Sequence, residues 1–366
     1  MSRNLETATY NRKAYGVNLA VLTLSLFLIF WLGSYPQLVE TYYAEGLYPI
    51  LNTIRNFMFG WLPLSLGDLL YLALIAYLVY SVVKFARLML NKSFRQIPLS
   101  ILLLIVGFQI FACAFYLLWG LNYFRPTAAV LLQLPQQEYD LNELTHVTRL
   151  LIDSANATQC VYWESARKIK TEQDYFAIAS DAVKNLPREF SLLKSYHPSA
   201  KSSLFTPVIN YMATSGYFNP FTGEAQVNKQ MPLVNTPVTA CHEMAHQMGF
   251  AREDEANFVG FLAAKQSADR LTRYSAYYLA MQEFLRQVRR RDTVTFNQLK
   301  KQISQPVKND LRADRLYWEH YENQIGYITG IFYDNFLKAN NQPQGLLTYN
   351  RMIYLTMAYY RKYGKL

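Results

Sequence analysis

The sequence predicts an α+β protein that is mostly helical and has two parts, a membrane domain at residues 1–125 and a second domain at residues 126–366. Three long, nearly uncharged segments lie close to the N-terminus, and no later segment is long and apolar enough to cross a bilayer. Beyond them, helix-like segments alternate with short strand-like segments between turn residues. We therefore expect a small β-sheet among the helices of the second domain.

The three apolar segments have the length of transmembrane helices. They cover about residues 17–35, 66–86 and 98–119, and about 20 apolar residues suffice to cross a bilayer. The first is interpreted as a retained helix, because no A-x-A-like cleavage site of a signal peptide follows it. Gln109, inside the third segment, is expected to face a neighbouring helix and not lipid.

Basic residues predict how these helices are oriented. They cluster before the first segment and in the loop between the second and third, which contains no acidic residue. The residues concerned are Arg3, Arg12, Lys13, Lys84, Arg87, Lys92 and Arg95. By the positive-inside rule, the N-terminus is cytoplasmic and residues 120–366 lie outside the cytoplasm. The chain is thus expected to be a multi-pass protein of the cell (inner) membrane, with the lipid bilayer as its partner.

Composition excludes some functions. The net charge of +10 is spread along the chain, and no glycine-rich phosphate loop or zinc knuckle accompanies it, so no nucleic-acid partner is expected. The three cysteines have neither CxxC spacing nor the density of a disulfide framework. Nothing in the sequence specifies an oligomeric state.

The second domain is expected to be a series of helices with a few strands. Helices are predicted at 141–156, 163–186, 271–291, 314–339 and 346–363, and strands at 203–211 and 224–228. The strand at 224–228 follows the turn signals Asn219-Pro220 and Thr222-Gly223. It is either an edge strand that pairs with an extended substrate or part of an ordinary hairpin.

The sequence HEMAH at residues 242–246 matches the HExxH zinc signature. His242 and His246 are four residues apart, so on a helix their rings project from one face and can bind the same Zn²⁺. Glu243 would lie beside the open coordination position and act as general base on a bound water. Thr236 is a suitable N-cap with Pro237 at the first helical position, and Gly249 is a suitable helix stop.

A third ligand is expected from the segment EDEAN at residues 253–257, which opens a further apolar helix. The segment resembles the ExxAN pattern of gluzincin-type zinc peptidases. That resemblance implies that Glu253 is the ligand and that Asn257 supports the site, with Glu255 as the alternative ligand. Metzincin spacing would instead place the third ligand at Arg252, which cannot bind a cation.

The whole layout resembles a family of bacterial three-span membrane proteins of unknown function with an extracytoplasmic, zincin-like HExxH domain. The resemblance is carried by WGLNYFRP at 119–126, NPFTGEAQVN at 219–228, HEMAHQMGFAREDEANF at 242–258 and the segment 345–352. It implies a zincin-like metallopeptidase fold for the second domain. It implies little about substrate.

These features predict a membrane-anchored zinc metallopeptidase with one Zn²⁺ per chain and a peptide or protein substrate. Zincins often use a further His, Tyr or Arg as an oxyanion donor, and the candidates are His320, Tyr349 and Arg351. Two alternatives remain open. One is a zinc hydrolase of a non-peptide amide in cell-wall or lipid-linked material, and the other is a non-catalytic membrane scaffold with a zincin fold.

Overall fold

A computed structural model describes residues 2–135, 137–159, 171–343, 345 and 351–366. The described chain is mostly helical, with one small sheet, as predicted. It forms two compact units. Residues 1–51 and 66–125 make the first, and residues 52–65 and 126–366 make the second. Residues 52–65, which the sequence placed in the membrane domain, thus belong to the same unit as the HEMAH motif.

The first unit contains the three predicted apolar helices. Its α-helices are α1 (Ser2–Gly33), α2 (Pro36–Leu38), α3 (Tyr48–Arg55, which ends in the second unit), α4 (Leu66–Leu90) and α5 (Ile97–Leu118). The parts that are long and apolar enough to cross a membrane are Tyr15–Gly33, Leu66–Leu90 and Ile97–Leu118. The prediction of three membrane-spanning helices is confirmed to that extent.

Polar contacts fix the helices of the first unit against one another. Gln109 on α5 donates from Nε2 to the Thr23 hydroxyl on α1 at 2.8 Å, so it faces a neighbouring helix as predicted. Beyond the end of α5, Arg125 binds the carboxylate of Glu40 through two hydrogen bonds of 2.7 and 2.8 Å. Both side chains are about nine-tenths buried, and the paired geometry satisfies their charges.

The second unit is a helical domain built around one hydrophobic core. Its helices are α6 (Ala128–Leu131), α7 (Leu141–Gln159), α8 (Glu172–Asn185), α9 (Thr206–Tyr211), α10 (Thr236–Gln247), α11 (Glu253–Lys265), α12 (Arg270–Arg291), α13 (Thr293–Gln302), α14 (Gln305–Tyr321), α15 (Gln324–Ala339) and α16 (Arg351–Tyr363). The core takes side chains from α10, α11 and α12, which are apolar on most sides. Its largest fully buried side chains include Phe258, Phe261, Tyr274, Tyr278 and Phe284.

A three-stranded sheet lies beside α10. The strands β1 (Ala200–Ser202), β2 (Gly216–Phe218) and β3 (Ala225–Val227) are arranged in the order β1-β3-β2. β1 pairs with β3 in parallel, and β2 pairs with β3 antiparallel. β3 is therefore the central strand. Of the two alternatives for residues 224–228, the edge strand is wrong and the hairpin is confirmed, because β3 pairs antiparallel with the preceding strand β2, which lies at an edge of the sheet.

Two predicted elements of this domain differ in the structure. The strand expected at 203–211 is wrong, because β1 ends at Ser202 and residues 206–211 form helix α9. Pro207 lies in the first turn of α9, where a missing N–H costs nothing. The single helix expected at 314–339 is divided into α14 and α15, because the Asn323 carbonyl Oδ1 caps α15 by accepting from the Ile325 and Gly326 amides.

Parts of two predicted helices lie outside the described residues. Of the helix expected at 163–186, the structure describes α8, whose N-terminus is closed by a capping box between Thr171 and Asp174. Of the helix expected at 346–363, it describes α16. Residues 160–170 and 346–350 are not among the described residues.

Residues 52–65 are held against the sheet of the second unit by polar contacts. Arg55 donates to the Pro220 carbonyl at 2.9 Å, and the Ser65 hydroxyl and the Gln226 side chain lie 2.5 Å apart. Lys201 on β1 donates to the Phe59 carbonyl at 2.8 Å and forms a buried ion pair with Glu224 at 2.7 Å. The segment therefore folds as part of this domain.

Candidate metal centre

The helix that contains the HEMAH motif starts and ends by different means. At its end, Gly249 has a φ of 89°, the left-handed conformation predicted for this stop. At its start, the prediction that Thr236 is the N-cap is wrong: the helix begins at Thr236 and no side chain caps it locally. Instead, the Val238 amide donates to the Ser275 hydroxyl on α12 at 3.1 Å. A distant residue thus satisfies one of the unpaired N–H groups.

His242, His246 and Glu253 come together as one group. The two Nε2 atoms are 3.1 Å apart. Glu253 Oε2 lies 3.3 Å from His242 Nε2, and Glu253 Oε1 lies 3.6 Å from His246 Nε2. His246 and Glu253 are buried, and His242 is partly buried. Three potential ligand atoms therefore face a common point.

The spacing of these atoms fits one tetrahedral cation. Ligands about 2.0–2.1 Å from a zinc ion in a tetrahedral site are about 3.3–3.4 Å from one another. The two imidazole nitrogens are 3.1 Å apart, and each lies 3.3 or 3.6 Å from one of the two Glu253 oxygens, which is close to that value. Two imidazoles and one carboxylate leave a fourth position for water or substrate. This set of ligands is typical of catalytic zinc sites, whereas structural zinc sites are closed by four protein ligands.

The backbone turn after α10 orients one of the imidazoles. The Phe250 amide donates to the Ala245 carbonyl at 3.1 Å, which closes the turn around Gly249. The Phe250 carbonyl oxygen then lies 2.7 Å from His246 Nδ1. A carbonyl oxygen can only accept, so Nδ1 must carry the proton, and the Nε2 of a neutral His246 keeps its lone pair for a metal.

Glu243 is buried next to the ligands. Its Oε1 lies 4.0 Å from His242 Nε2, and Oε2 has no hydrogen-bond partner among the described residues. Burial is the main influence and raises the pKa of Glu243 to about 7. A carboxylate with that pKa can both take and release a proton near neutral pH.

Strand β2 approaches Glu243 through a glycine. A Cβ atom on Gly216 would lie 2.8 Å from Glu243 Oε1 and 2.8 Å from the Gln226 carbonyl oxygen. No side chain fits there, so Gly216 is required for the close approach of strand and carboxylate. The edge strand β2 therefore passes close to Glu243.

The ligand carboxylate and the imidazoles determine each other's charge. Burial alone would raise the pKa of Glu253, but the imidazoles of His246 and His242 outweigh it and hold this pKa well below its usual range. Burial alone would lower the pKa of His246, but Glu253 outweighs it and raises this pKa to about 9. The carboxylate stays ionised, which favours a cation at this position.

The two other predicted residues of the EDEAN segment make no described contact with the group. Glu255 accepts from the Ala128 amide at 3.0 Å and lies 3.7 Å from Arg252. Asn257 is half-buried, and in the described part of the chain its side chain makes no hydrogen bond to His242, His246 or Glu253. The structure thus gathers Glu253, and not Glu255, with the histidines.

Tyr333 on α15 is a site residue that sequence reasoning missed. Its hydroxyl donates to Glu253 Oε1, and farther along the chain the Gln342 side-chain oxygen lies 3.4 Å from the Glu253 amide. Both contacts hold the ligand from parts of the chain more than about 80 residues away in sequence, Tyr333 from helix α15 and Gln342 from the segment after it. No local pattern distinguishes Tyr333 among 29 tyrosines, so the sequence offered no signal for it.

None of the contacts described for this group involves a candidate oxyanion donor. His320 is exposed near the end of α14, where its ring packs edge-on against Tyr321. Tyr349 lies outside the described residues. Arg351 begins α16, and only its backbone is described.

Close packing of two helices sets the distance between Glu253 and the histidines. A Cβ atom on Gly260 would lie 2.9 Å from the His242 amide nitrogen and 3.0 Å from its Cα. Gly260 follows Glu253 by seven residues, about two helical turns, so both lie on the face of α11 that meets α10. The glycine therefore lets the helix that contributes Glu253 come close to the helix that contributes the imidazoles.

Comparison with known proteins gives one family. The profile of a family described as "Protein of unknown function (DUF3810)" matches residues 43–357. No curated protein and no solved structure matches the chain significantly.

Proposed function

Because the chain belongs to the DUF3810 family, whose function is unknown, we propose its function from the candidate site: a membrane-anchored, zinc-dependent peptidase. One observation carries the proposal. The donor atoms of His242, His246 and Glu253 lie within 4.8 Å of one another, and the buried carboxylate of Glu243 stands beside them. A purely structural metal site has no use for such a carboxylate, and it would more often employ cysteine.

His242, His246 and Glu253 would hold the ion, with one ion per chain. Bound there, Zn²⁺ supplies Lewis-acid activation of water and of a carbonyl oxygen. Glu243 takes the proton from the attacking water and later gives it to the leaving amine. The Phe250 carbonyl and the Tyr333 hydroxyl keep His246 and Glu253 in place during these steps.

The sheet suggests where a peptide would lie. Gly216 brings β2 against Glu243, and β2 is at the edge of the sheet. An extended peptide alongside β2 would align its carbonyl groups with Glu243 by backbone pairing. This supports a peptide substrate over a compact non-peptide amide.

The test is zinc content and hydrolysis of a broad peptide pool by purified full-length protein. We expect about one zinc per chain in wild type and in Glu243→Gln, but a cleavage rate at least about 10²-fold lower in the variant, because only the proton acceptor is lost. Glu319→Gln, which changes an exposed carboxylate beside Arg315, should keep wild-type activity.

The other possible outcomes of this experiment would each support a different conclusion. Zinc in both proteins with cleavage in neither would favour a non-peptide substrate or a scaffold. Cleavage that survives in Glu243→Gln would refute the role of Glu243. Absence of zinc from both would refute the metal site.

A further inference from the structure

Helix α15 exposes large apolar side chains instead of burying them. Tyr327 is 74% exposed and Phe332 is 72% exposed, whereas Leu337 is the fully buried residue of the helix. Apart from Tyr333, which is 37% exposed and contacts Glu253, the exposed apolar side chains are Ile325, Tyr327, Ile328, Ile331, Phe332 and Phe336. At 100° per residue, these six occupy about half of the helix circumference, opposite Gly326 and Leu337. The usual amphipathic arrangement of a surface helix is therefore reversed.

The first ten residues of the helix also carry no charge. Residues 324–333 contain no Asp, Glu, Lys or Arg, and charges appear only at Asp334 and Lys338 near the end of the helix. A contiguous apolar surface of this kind on a protein domain marks a contact with another apolar phase. Tyrosine and phenylalanine among isoleucines are typical of the boundary between lipid and water.

A second exposed apolar set in the same unit lies next to a membrane span in the chain. Phe57 is 83% exposed and Trp61 is 75% exposed, with Met58 and Leu64 also exposed. Trp61 lies five residues before Leu66, where an apolar helix long enough to cross a membrane begins. Five residues of extended chain span at most about 18 Å. This part of the second unit must therefore lie close to the bilayer.

A short path of contacts connects the two sets. The Leu64 carbonyl accepts from Lys201 on β1 at 3.4 Å. After β1, the chain exposes Leu204, Val208 and Tyr211. The Tyr211 carbonyl then accepts from Asn323, the capping residue of α15, at 2.9 Å. Hydrogen bonds thus link the membrane-adjacent segment to α15 through residues 201–211, which also expose apolar side chains.

The same helix touches the candidate metal centre. Tyr333 on α15 donates to Glu253, and Gln342, just after the helix, lies at hydrogen-bond distance from the Glu253 amide. The helix that exposes the apolar surface, α15, therefore also contacts Glu253 of the candidate metal centre.

We propose that α15 lies in the headgroup region of the bilayer, with Tyr327 and Phe332 inserted, and that the metal centre acts on polypeptides held at the membrane surface. The second half rests on the proposed function, whereas the first does not. The occupant of the apolar surface is lipid and not a second protein, because hydrogen bonds link α15 through residues 201–211 to a segment that is covalently joined to a membrane span.

Lipid contact is tested by photolabelling of the full chain. The protein is placed in nanodiscs of phosphatidylethanolamine and phosphatidylglycerol that contain a diazirine phospholipid, and labelled residues are mapped by mass spectrometry. We expect label at 324–336 and at 56–64, and none on α14, which is exposed but charged. In the double variant Tyr327→Asn/Phe332→Asn, the label at 324–336 should fall at least about fivefold while the zinc content is unchanged. Val294→Asn, which alters an exposed apolar residue elsewhere, should leave the label at 324–336 unchanged.

The substrate class is tested separately with the same proteins. A peptide pool with an N-terminal palmitoyl chain should be cleaved about tenfold faster than the free pool, and the double variant should lose only this preference. Label on α15 without any cleavage would support the lipid contact and refute the peptidase. Absence of label from α15 while the spans are labelled, or crosslinks from α15 to a second copy, would overturn the lipid contact whatever the activity. Equal cleavage of both pools would overturn the substrate class.

Discussion

Glu253 and Glu255 show how two glutamates of the same helical turn acquire different roles. Two residues apart on a helix, they point about 200° away from each other, so only one can face α10. Glu253 faces the imidazoles of His242 and His246, whereas Glu255 is satisfied by the Ala128 amide and Arg252. Spacing alone cannot make this choice, because it depends on how α11 is rotated against its neighbours.

The first prediction at this scale concerns these two residues. Glu253→Gln should bind zinc at least about tenfold more weakly, because the variant loses an anionic ligand, and Glu255→Gln should bind it as wild type does. Zinc affinity of the purified variants, measured by competition with a chelating dye, checks this. The reverse order of affinities would assign the ligand to Glu255.

A second prediction concerns Lys265, at the end of α11. Its side chain is buried, its Nζ donates to the Tyr359 hydroxyl at 3.0 Å, and burial lowers its pKa from 10.5 to about 8. Between pH 8 and 10.5 the unfolded chain binds more protons, so the free energy of unfolding should rise with pH there. Below pH 8 both states are protonated, and the cost of burying the charge is fully present.

The pH dependence of thermal unfolding of the full chain in detergent tests this. From pH 7 to 9.5, the free energy of unfolding of wild type should rise by about 2 kcal/mol relative to Lys265→Met. Lys184→Met, which removes an exposed lysine, should follow the wild-type profile. Parallel profiles for wild type and Lys265→Met would show that Lys265 stays protonated in the folded chain.

At the scale of elements, the site depends on the approach of α11 to α10. Gly260→Ala would place a methyl group 2.9 Å from the His242 backbone, which cannot move without shifting a ligand. We expect a loss of about 1–3 kcal/mol in stability and weaker zinc binding, because Glu253 moves with α11. Denaturant unfolding and zinc titration measure the two effects.

The matched control for this variant is Gly330→Ala. It lies in the helix α15, and a Cβ atom there meets nothing within 4 Å. It should be neutral or stabilising by up to about 1 kcal/mol, because alanine is the better helix former. If both variants behave alike, the packing of Gly260 does not control the site.

Elements also show where sequence patterns were insufficient. The alternation at residues 224–228 correctly indicated a strand, but a strand's place in a sheet depends on its partners, and β1 and β2 flank it. The division between α14 and α15 is set by Asn323, whose side chain caps α15. The apolar residues of the two helices form one continuous pattern in the sequence, so the pattern predicted a single helix. Both features are set by contacts that periodicity does not record.

At the scale of the whole molecule, orientation in the membrane remains a prediction. The basic residues around the first span and between the second and third place residues 126–366 outside the cytoplasm. C-terminal fusions test this: alkaline phosphatase should be active and green fluorescent protein dark. The opposite pattern would place the candidate metal centre in the cytoplasm.

The sequence by itself determined the features that depend on local spacing. These are the three apolar spans, the helix that aligns His242 with His246, and the left-handed stop at Gly249. Each follows from residues within one or two turns, where helical geometry and length are sufficient.

Only the tertiary structure decided which distant residues complete the site. It brought Glu253 to the imidazoles, placed Gly216 of the edge strand against Glu243, and added Tyr333 from a helix 80 residues away. It also joined residues 52–65 to the second unit, although they lie between two spans in the chain. The physical reason is that these contacts come from the packing of whole elements, and the short-range pattern around each residue carries no information about which surface will meet it.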